Sequence, residues 1–390
     1  MPHNTKLRRL LLPPALAFAA SALFVFFFQL PQPYGDSPEY FALASSVSQG
    51  HGFTADGMTP DTYRPPLFSF TLGLWFALFG GPGLVSAALF QSFIFALSAL
   101  GVFLLGRQLL PGRYPYWAAL AFAVHPFIIP FNAYVLQEPL LLCVTCYALY
   151  FSVKLLKEPS PRAAAASGVF WGLCILGKAV AWYAPFLLAV FVLRKSGKAA
   201  LVVLGLALLA VLPWTVRNYR VLGRFVPVND QGAGALEWYM TRGAHAGAGG
   251  AEYIESLKGK NMPEGEYRRK LAAFIASHPK QVFKQSVRNA ALFTQVDREW
   301  YGKVAGLSMR WKYWLLPFLL FQLPLYIGFA LALWRGRSAE IFFLGSFYLL
   351  YWLQYALYWG EPRFAIPVYP LLLCLGVLGW LKKTKESVHP

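Results

Sequence analysis

Residues 10–30 read LLLPPALAFAASALFVFFFQL and follow Lys6, Arg8 and Arg9. An apolar run of 21 residues is longer than the roughly 7–15 of a cleavable signal-peptide core. It matches the roughly 20 residues that carry a helix across a bilayer. The stretch therefore reads as a first membrane span retained on the chain. Comparable runs follow at 83–106, 115–133, 138–155, 162–177, 179–193, 199–214, 313–334, 339–358 and 366–381. Ten spans place both termini on one side of the membrane, and the expected fold class is an all-α polytopic membrane protein.

Composition agrees. Of 390 residues, 57% are hydrophobic and 13% charged, against roughly 45–50% and 25% in soluble domains. That excludes a disordered protein, a nucleic-acid-binding tail and an ordinary cytosolic enzyme. The formal charge of +18 points to the anionic membrane surface as partner, and no nucleic acid is expected. Cys143, Cys146, Cys174 and Cys374 all lie in apolar runs. They read as buried free thiols, because the CxxC at 143–146 lacks the polar surroundings of a redox or zinc motif.

The basic residues set the orientation. With the N-terminus inside, the short inner loops carry 16 lysines and arginines and the short outer loops 3, namely Arg64, Lys178 and Arg363. This is the skew of the positive-inside rule. The remaining 16 fall in the segment 215–312, which is long enough to escape the rule. The division is then a transmembrane catalytic module over 1–214 with a first external loop at 31–82, an external segment over 215–312, and C-terminal spans over 313–390. The run 162–193 reads as two short helices meeting near Lys178, since one long helix would reverse every later loop. Residues 66–80 are apolar but too short to span, and read as an interfacial helix stopped at Gly80-Gly81-Pro82. In the external segment, Tyr267, Leu271, Phe274 and Ile275, then Val282, Phe283 and Val287, recur at helical spacing among lysines and arginines. That pattern predicts an amphipathic helical hairpin resting on headgroups. The glycine- and alanine-rich stretch 243–250 reads as a loop, and no internal repeat stands out.

Acidic residues are few enough to weigh singly. Between Asp61 and Asp230 only Glu138 and Glu158 occur. Glu158 reads as a solvated surface charge. Glu138 opens a span, where an acid is costly unless it faces a polar cavity or a cation; the plainer role is a carboxylate favoured by the helix dipole. Gly35-Asp36-Ser37-Pro38-Glu39-Tyr40 predicts a helix capped by Ser37 with Pro38 in its first turn. Asp36 and Glu39 then stand at the lip of the first span, and simple capping is the competing role for both. Lys178, Arg217, Arg363 and Arg64 are isolated outer cations, each able to serve as an interfacial anchor. Carboxylates and cations at one mouth of a helical bundle suit displacement of a phosphate leaving group by a hydroxyl. The carboxylate takes or orients the proton, and the cations stabilise charge growing on the phosphate.

Several stretches resemble a known family. Asp36-x-x-Glu39-Tyr40-x-x-Leu43-Ala44, Gly50-His51-Gly52-Phe53 and Arg64-Pro65-Pro66 before a helix ending Phe79-Gly80 resemble the first external loop of GT-C glycosyltransferases. The nearest branch is the dolichyl-phosphate-mannose protein mannosyltransferase-like group, which includes lipid A aminoarabinose transferases and rhizobial lipopolysaccharide-core glycosyltransferases. The likeness continues through Pro126…Glu138, Gly172–Lys178, Pro213-Trp214…Arg217-Asn218-Tyr219 and Arg363…Pro367…Pro370. It implies a polyprenyl-phosphate-linked sugar donor, a lipid, glycan or protein acceptor, and inverting transfer on the external face. Asp36 is then the catalytic base or acceptor-orienting carboxylate and Glu138 the second external acid. Lys178 and Arg217 contact the carrier phosphate, with Arg363 and Arg64 as further phosphate-binding candidates. Many relatives have adjacent acids where this chain has Asp36-Ser37, so a catalytic role for Glu39 carries over poorly. Some GT-C enzymes use a divalent metal; no convincing ligand set stands out here, and the metal is left open. The competing functions are a secondary transporter or flippase, which would place charges near mid-membrane, a lipid-linked polysaccharide ligase or polymerase, and a membrane scaffold.

Overall fold

The computed structural model describes residues 2–28, 35–242, 249–258, 262–295 and 318–381. Most of the 243–250 stretch, the start of the 313–334 run and the lysines at 382, 383 and 385 lie outside the described residues. So do the side chains of Lys6, Arg8 and Arg9.

Among the described residues the chain is helical, its only β feature being a bridge between Thr54 and Pro60. The first half comprises α1 (Pro2–Phe27), α2 (Ser37–Ser48), α3 (Pro66–Leu78), α4 (Leu84–Leu109), α5 (Tyr114–Ala123), α6 (Glu138–Lys157), α7 (Pro161–Gly177), α8 (Tyr183–Leu193) and α9 (Gly197–Leu222). Four shorter helices follow: α10 (Gly232–Arg242), α11 (Gly250–Lys258), α12 (Glu264–Ala276) and α13 (Pro279–Phe293). A π-turn at Phe318–Gln322 leads into α14 (Leu323–Arg335), then α15 (Ala339–Leu357) and α16 (Tyr369–Trp380). Six helical stretches are long and apolar enough to cross a membrane: 10–27, 84–109, 138–157, 197–222, 318–335 and 362–380.

Elsewhere the expected spans take other forms. Residues 115–133 do not make one helix. α5 stops at Ala123, two residues ahead of the His125-Pro126 bond, because the residue before a proline is driven out of helical geometry. The link then folds back through a 3-10 turn at Ile129–Ala133 and is buried throughout that turn. Gln91 of α4 secures it, donating to the carbonyls of Asn132 and Tyr134. Residues 162–193 do form two helices. Lys178 breaks them in an extended conformation, and a 3-10 turn at Ala179–Trp182 starts the return.

Small residues decide how closely helices approach. A Cβ on Gly168 would stand 2.7 Å from the Val203 carbonyl oxygen, and one on Gly172 would stand 2.6 Å from the Ala210 methyl. This four-residue spacing lets the α7 backbone lie against α9, the mode by which membrane helices pack without a hydrophobic driving force. The four cysteines are free and buried.

Lys157, Lys195 and Arg335, three of the basic residues expected inside, lie at one end of the bundle. There Lys157 donates to the Gln108 carbonyl, Lys195 to the Leu156 carbonyl and Arg335 to the Gly379 carbonyl. Each satisfies a carbonyl at or just beyond the C-terminal turn of a neighbouring helix, where cations are favoured. The external segment departs from a hairpin lying flat. Leu271 is fully buried, and Tyr267, Phe274 and Ile275 pack with it against Met240, Ile254 and Leu257 of α10 and α11. The stripe on α12 thus makes a small core of its own. α13 keeps Phe283 and Val287 exposed, and it sits across the end of α15 through Asn289, which donates to the Ala356 carbonyl.

Candidate active site

At the opposite end from the basic cluster, the polar side chains of five separate stretches meet. The first is the entrance to α2. Ser37 is already helical rather than the cap, and Asp36 holds the cap position without using its side chain to cap. That side chain turns to two arginines instead. Arg64 Nη2 lies 3.0 Å from Asp36 Oδ1, and Arg363 Nη1 lies 3.3 Å from Asp36 Oδ2. Arg64 also reaches Glu39 through Nε at 2.5 Å, and Arg363 reaches Glu361 at 2.7 Å. Glu39 is half exposed, so its own pair contributes little.

The second half of the site is Glu138, the first residue of α6, and Lys178, the break between α7 and α8. Glu138 is only 2% exposed, with Oε1 4.0 Å from Lys178 Nζ. Its Oε2 is buried with no hydrogen-bond partner, as are Ser37 Oγ and Tyr40 Oη on the neighbouring α2. An unpartnered buried polar atom costs about 1–3 kcal/mol. Three such atoms beside a carboxylate therefore define a place where a polar substrate would supply the missing contacts. Lys178 Nζ stands 3.7 Å from the Phe364 ring centroid, a cation–π contact that places it behind Arg363.

Electrostatics follow from this packing. Burial pushes the Asp36 carboxyl upward, but Arg363, Arg64 and then Lys178 outweigh it and hold the group below the usual carboxylate range. Burial lowers the Lys178 ammonium to about 8, with Glu138 opposing the shift. Asp36 is thus ionised at neutral pH, and Lys178 is mostly charged but close to its titration point.

Sequence reading nominated seven residues, and the structure brings six of them together: Asp36, Glu39, Arg64, Glu138, Lys178 and Arg363. Arg217 is engaged elsewhere. Its guanidinium donates to the Asp61 carbonyl at 2.5 Å and the Phe53 carbonyl at 3.3 Å, and stacks over Trp214. These bonds act on Arg64 at one remove. The Asp61 carboxylate accepts from the backbone N–H of Tyr63 and Arg64, and Pro65 then starts α3 in extended geometry. Arg217 clasps the turn that aims Arg64. The loop after α9 braces the same turn, with Asp230 N–H donating to the Thr62 carbonyl. Sequence reading gave Ser37 only a capping role and nominated neither Ser37 nor Tyr40 for the site, although Tyr40 belongs to the Asp36-x-x-Glu39-Tyr40 motif.

The donor set does not fit a divalent metal. Both Asp36 oxygens face guanidinium groups, Glu39 is taken by Arg64, and Glu138 faces an ammonium. Among the described residues no cluster of three His, Cys, Asp or Glu side chains has metal-binding proximity.

Residues 63–216 match the family model of dolichyl-phosphate-mannose-protein mannosyltransferases. The match includes Arg64, Glu138 and Lys178 and ends one residue before Arg217. No curated protein sequence matches. Among solved structures, the fold is similar to the oligosaccharyltransferase of Archaeoglobus fulgidus in its apo form, at 14% identity and a TM-score of 0.54. The alignment covers 94% of this chain and 50% of that one. The archaeal oligosaccharyltransferase AglB from Archaeoglobus fulgidus, in complex with an inhibitory peptide and a dolichol-phosphate, is similar at 15% identity with the same coverage and TM-score. The chain therefore spans about half the length of these structures. Residues 63–216 thus match the model of the dolichyl-phosphate-mannose-protein mannosyltransferase family, and the fold as a whole is similar to that of the archaeal oligosaccharyltransferase.

Proposed function

We propose that the protein transfers a sugar from a polyprenyl-phosphate-linked donor to an acceptor hydroxyl at the non-cytoplasmic face of a bacterial inner membrane. On this reading the chain crosses the membrane ten times with both termini in the cytoplasm, and the shorter apolar helices complete the crossings. The observation that carries the proposal is the bridging of Asp36 by Arg64 and Arg363, with Lys178 and Glu138 alongside. One ionised carboxylate among three cations suits an anionic phosphate and a neutral hydroxyl meeting at a sugar carbon. Mid-span positions carry no comparable charges, which disfavours a transport path.

In the proposed step the acceptor oxygen forms a bond to the anomeric carbon while the bond from that carbon to the phosphate oxygen breaks. The bonding pair leaves on the polyprenyl phosphate, and attack from the opposite face inverts the centre. Arg64, Arg363 and Lys178 stabilise the charge arriving on the phosphate, an effect worth about 3–4 kcal/mol for one well-placed donor in a dry site. Asp36 holds the two arginines in place and orients the acceptor. Its depressed pKa makes it a weak base, so the hydroxyl proton passes to Glu138, whose Oε2 has no competing partner. Glu39 only steadies Arg64.

The test is reconstitution of purified protein in lipid with polyprenyl-phosphate sugars, together with mass spectrometry of glycolipids and glycoproteins from cells with and without the gene. Loss of one glycosyl unit in the deletion, restored by the wild-type gene and not by Asp36→Asn, is the expected result. Unchanged glycans, or full rescue by Asp36→Asn, would overturn it.

A further inference from the structure

Arg363 and Phe364 sit side by side in the 3-10 turn Pro362–Val368, and each touches the ionic site: Arg363 meets Asp36, and the Phe364 ring meets Lys178. Whatever fixes this turn therefore aims two of the three cations. Glu361 stands just before it in extended geometry, at the cap position, and its side chain caps nothing. It reaches past Pro362 to Arg363 instead, with Oε2 2.7 Å from Arg363 Nε. Its other oxygen, Oε1, accepts from the Trp359 indole N–H at 2.9 Å. The stretch behind it is pinned by α13. A Cβ on Gly360 would collide with the Asn289 backbone, and Asn289 Nδ2 donates to the Ala356 carbonyl at 3.2 Å.

Distances decide which carboxylate holds Arg363. The 2.7 Å contact with Glu361 falls in the range of a strong charge-assisted hydrogen bond, about 2.7–2.9 Å, and the 3.3 Å contact with Asp36 lies outside it. The Arg363 side chain is 11% exposed and that of Glu361 30%, so solvent screens the pair only in part. Gripped at Nε and Nη1, the guanidinium has its plane fixed. Among the described residues its Nη2 donates to no protein acceptor. That nitrogen is the one left for a phosphate oxygen. Both Glu361 oxygens already accept hydrogen bonds, which suits a group that holds another side chain and not one that takes a proton. Glu138, with its unpartnered Oε2, differs in this respect.

We propose that Glu361 is a positioning residue for sugar transfer: braced by Trp359, it fixes the guanidinium plane of Arg363 so that Nη2 meets the phosphate as its charge grows. The inference rests on the glycosyl-transfer reading above. Two readouts separate positioning from a structural role. One is the initial rate at which the purified protein restores the missing glycosyl unit to deletion-strain membranes, which supply their own donor and acceptor. The other is the affinity of the full chain in nanodiscs for dodecaprenyl phosphate. Glu361→Gln keeps the side-chain shape and removes a negative charge, so the carrier phosphate should bind at least as tightly as to wild type. The rate should fall by about tenfold or more, toward the roughly hundredfold that a 1 Å misplacement costs. Trp359→Phe keeps an aromatic ring beside Phe364 and removes the indole N–H. It should cost about three- to tenfold in rate, the scale of one hydrogen bond, again with carrier affinity retained. In an Arg363→Ala background Glu361→Gln should lower the rate no further, because residues that act through one another are not additive. The assignment fails if Glu361→Gln transfers at the wild-type rate, if it loses rate and carrier affinity together, or if its full cost persists without Arg363. If the wild-type protein restores no glycosyl unit and binds no dodecaprenyl phosphate, the glycosyl-transfer reading falls and this inference falls with it.

Discussion

Asp36 is the residue on which the site turns. Its two oxygens tie together arginines that lie 28 and 327 positions away along the chain, and the sequence singles it out only as an acid at the lip of a span. Asp36→Asn should lower sugar transfer at least a hundredfold, on the scale of removing one preorganised charge from a dry site. Expression and thermal stability measured in detergent should stay near wild type. Lys178→Ala should act mainly on donor use, raising the apparent KM for donor more than it lowers kcat. Lys178 faces Glu138, Arg363, Glu361 and Asp36. Its ammonium loses its proton as pH rises through about 8, so donor affinity should be full below that pH and fall above it. Lys178→Arg keeps the charge and should move the alkaline limb upward in a KM-against-pH profile; an unmoved limb would assign the titration to another group. These residues were legible because charge is expensive in an apolar chain and therefore seldom placed without use. Arg217 sent the same signal but serves the backbone of the Asp61 turn. A charge pattern cannot distinguish a guanidinium aimed at a substrate from one aimed at a carbonyl.

Among the elements, the break at Lys178 and the return at Ala179–Trp182 follow from local chemistry, and the two-helix reading of 162–193 anticipates them. The close approach of α7 and α9 does not follow locally, because Gly168 and Gly172 count as ordinary small residues until Val203, Ala207 and Ala210 face them. Gly172→Leu should force the pair apart and lower stability by about 1–3 kcal/mol, seen as an earlier thermal transition in detergent. Gly205, with open space where a Cβ would project, is the control and should tolerate alanine. The 115–133 run misleads for a related reason. Its composition suits a span, but Pro126 stops the helix and the buried hydrogen bonds from Gln91 make the folded-back link affordable. The Arg217 clasp belongs at this scale too. Arg217→Ala should loosen the 53–64 loop, so limited proteolysis there should accelerate while α9 stays protected.

For the whole molecule, charge separates by end. The carbonyl-capping lysines and arginines lie at one end and the Asp36–Glu138 site at the other. A cysteine at Met58, in the exposed first loop, should react with a membrane-impermeant maleimide in spheroplasts. A cysteine at Arg194 should react only after lysis. The four native thiols are buried and give little background. The reverse pattern would turn the protein over in the membrane and place the site in the cytoplasm.

Apolar run length and the distribution of lysine and arginine determined, by themselves, that this is a helical membrane protein with its unusual charges gathered toward one face. Both are one-dimensional properties, because insertion depends on the hydrophobicity of successive residues and orientation on the charges beside them. Tertiary structure alone decided which cations share a carboxylate, that Arg217 holds a turn instead, and that the apolar face of α12 has its own partners. Those outcomes depend on contacts between residues far apart in the chain, and side-chain geometry at such contacts has no trace in composition or periodicity.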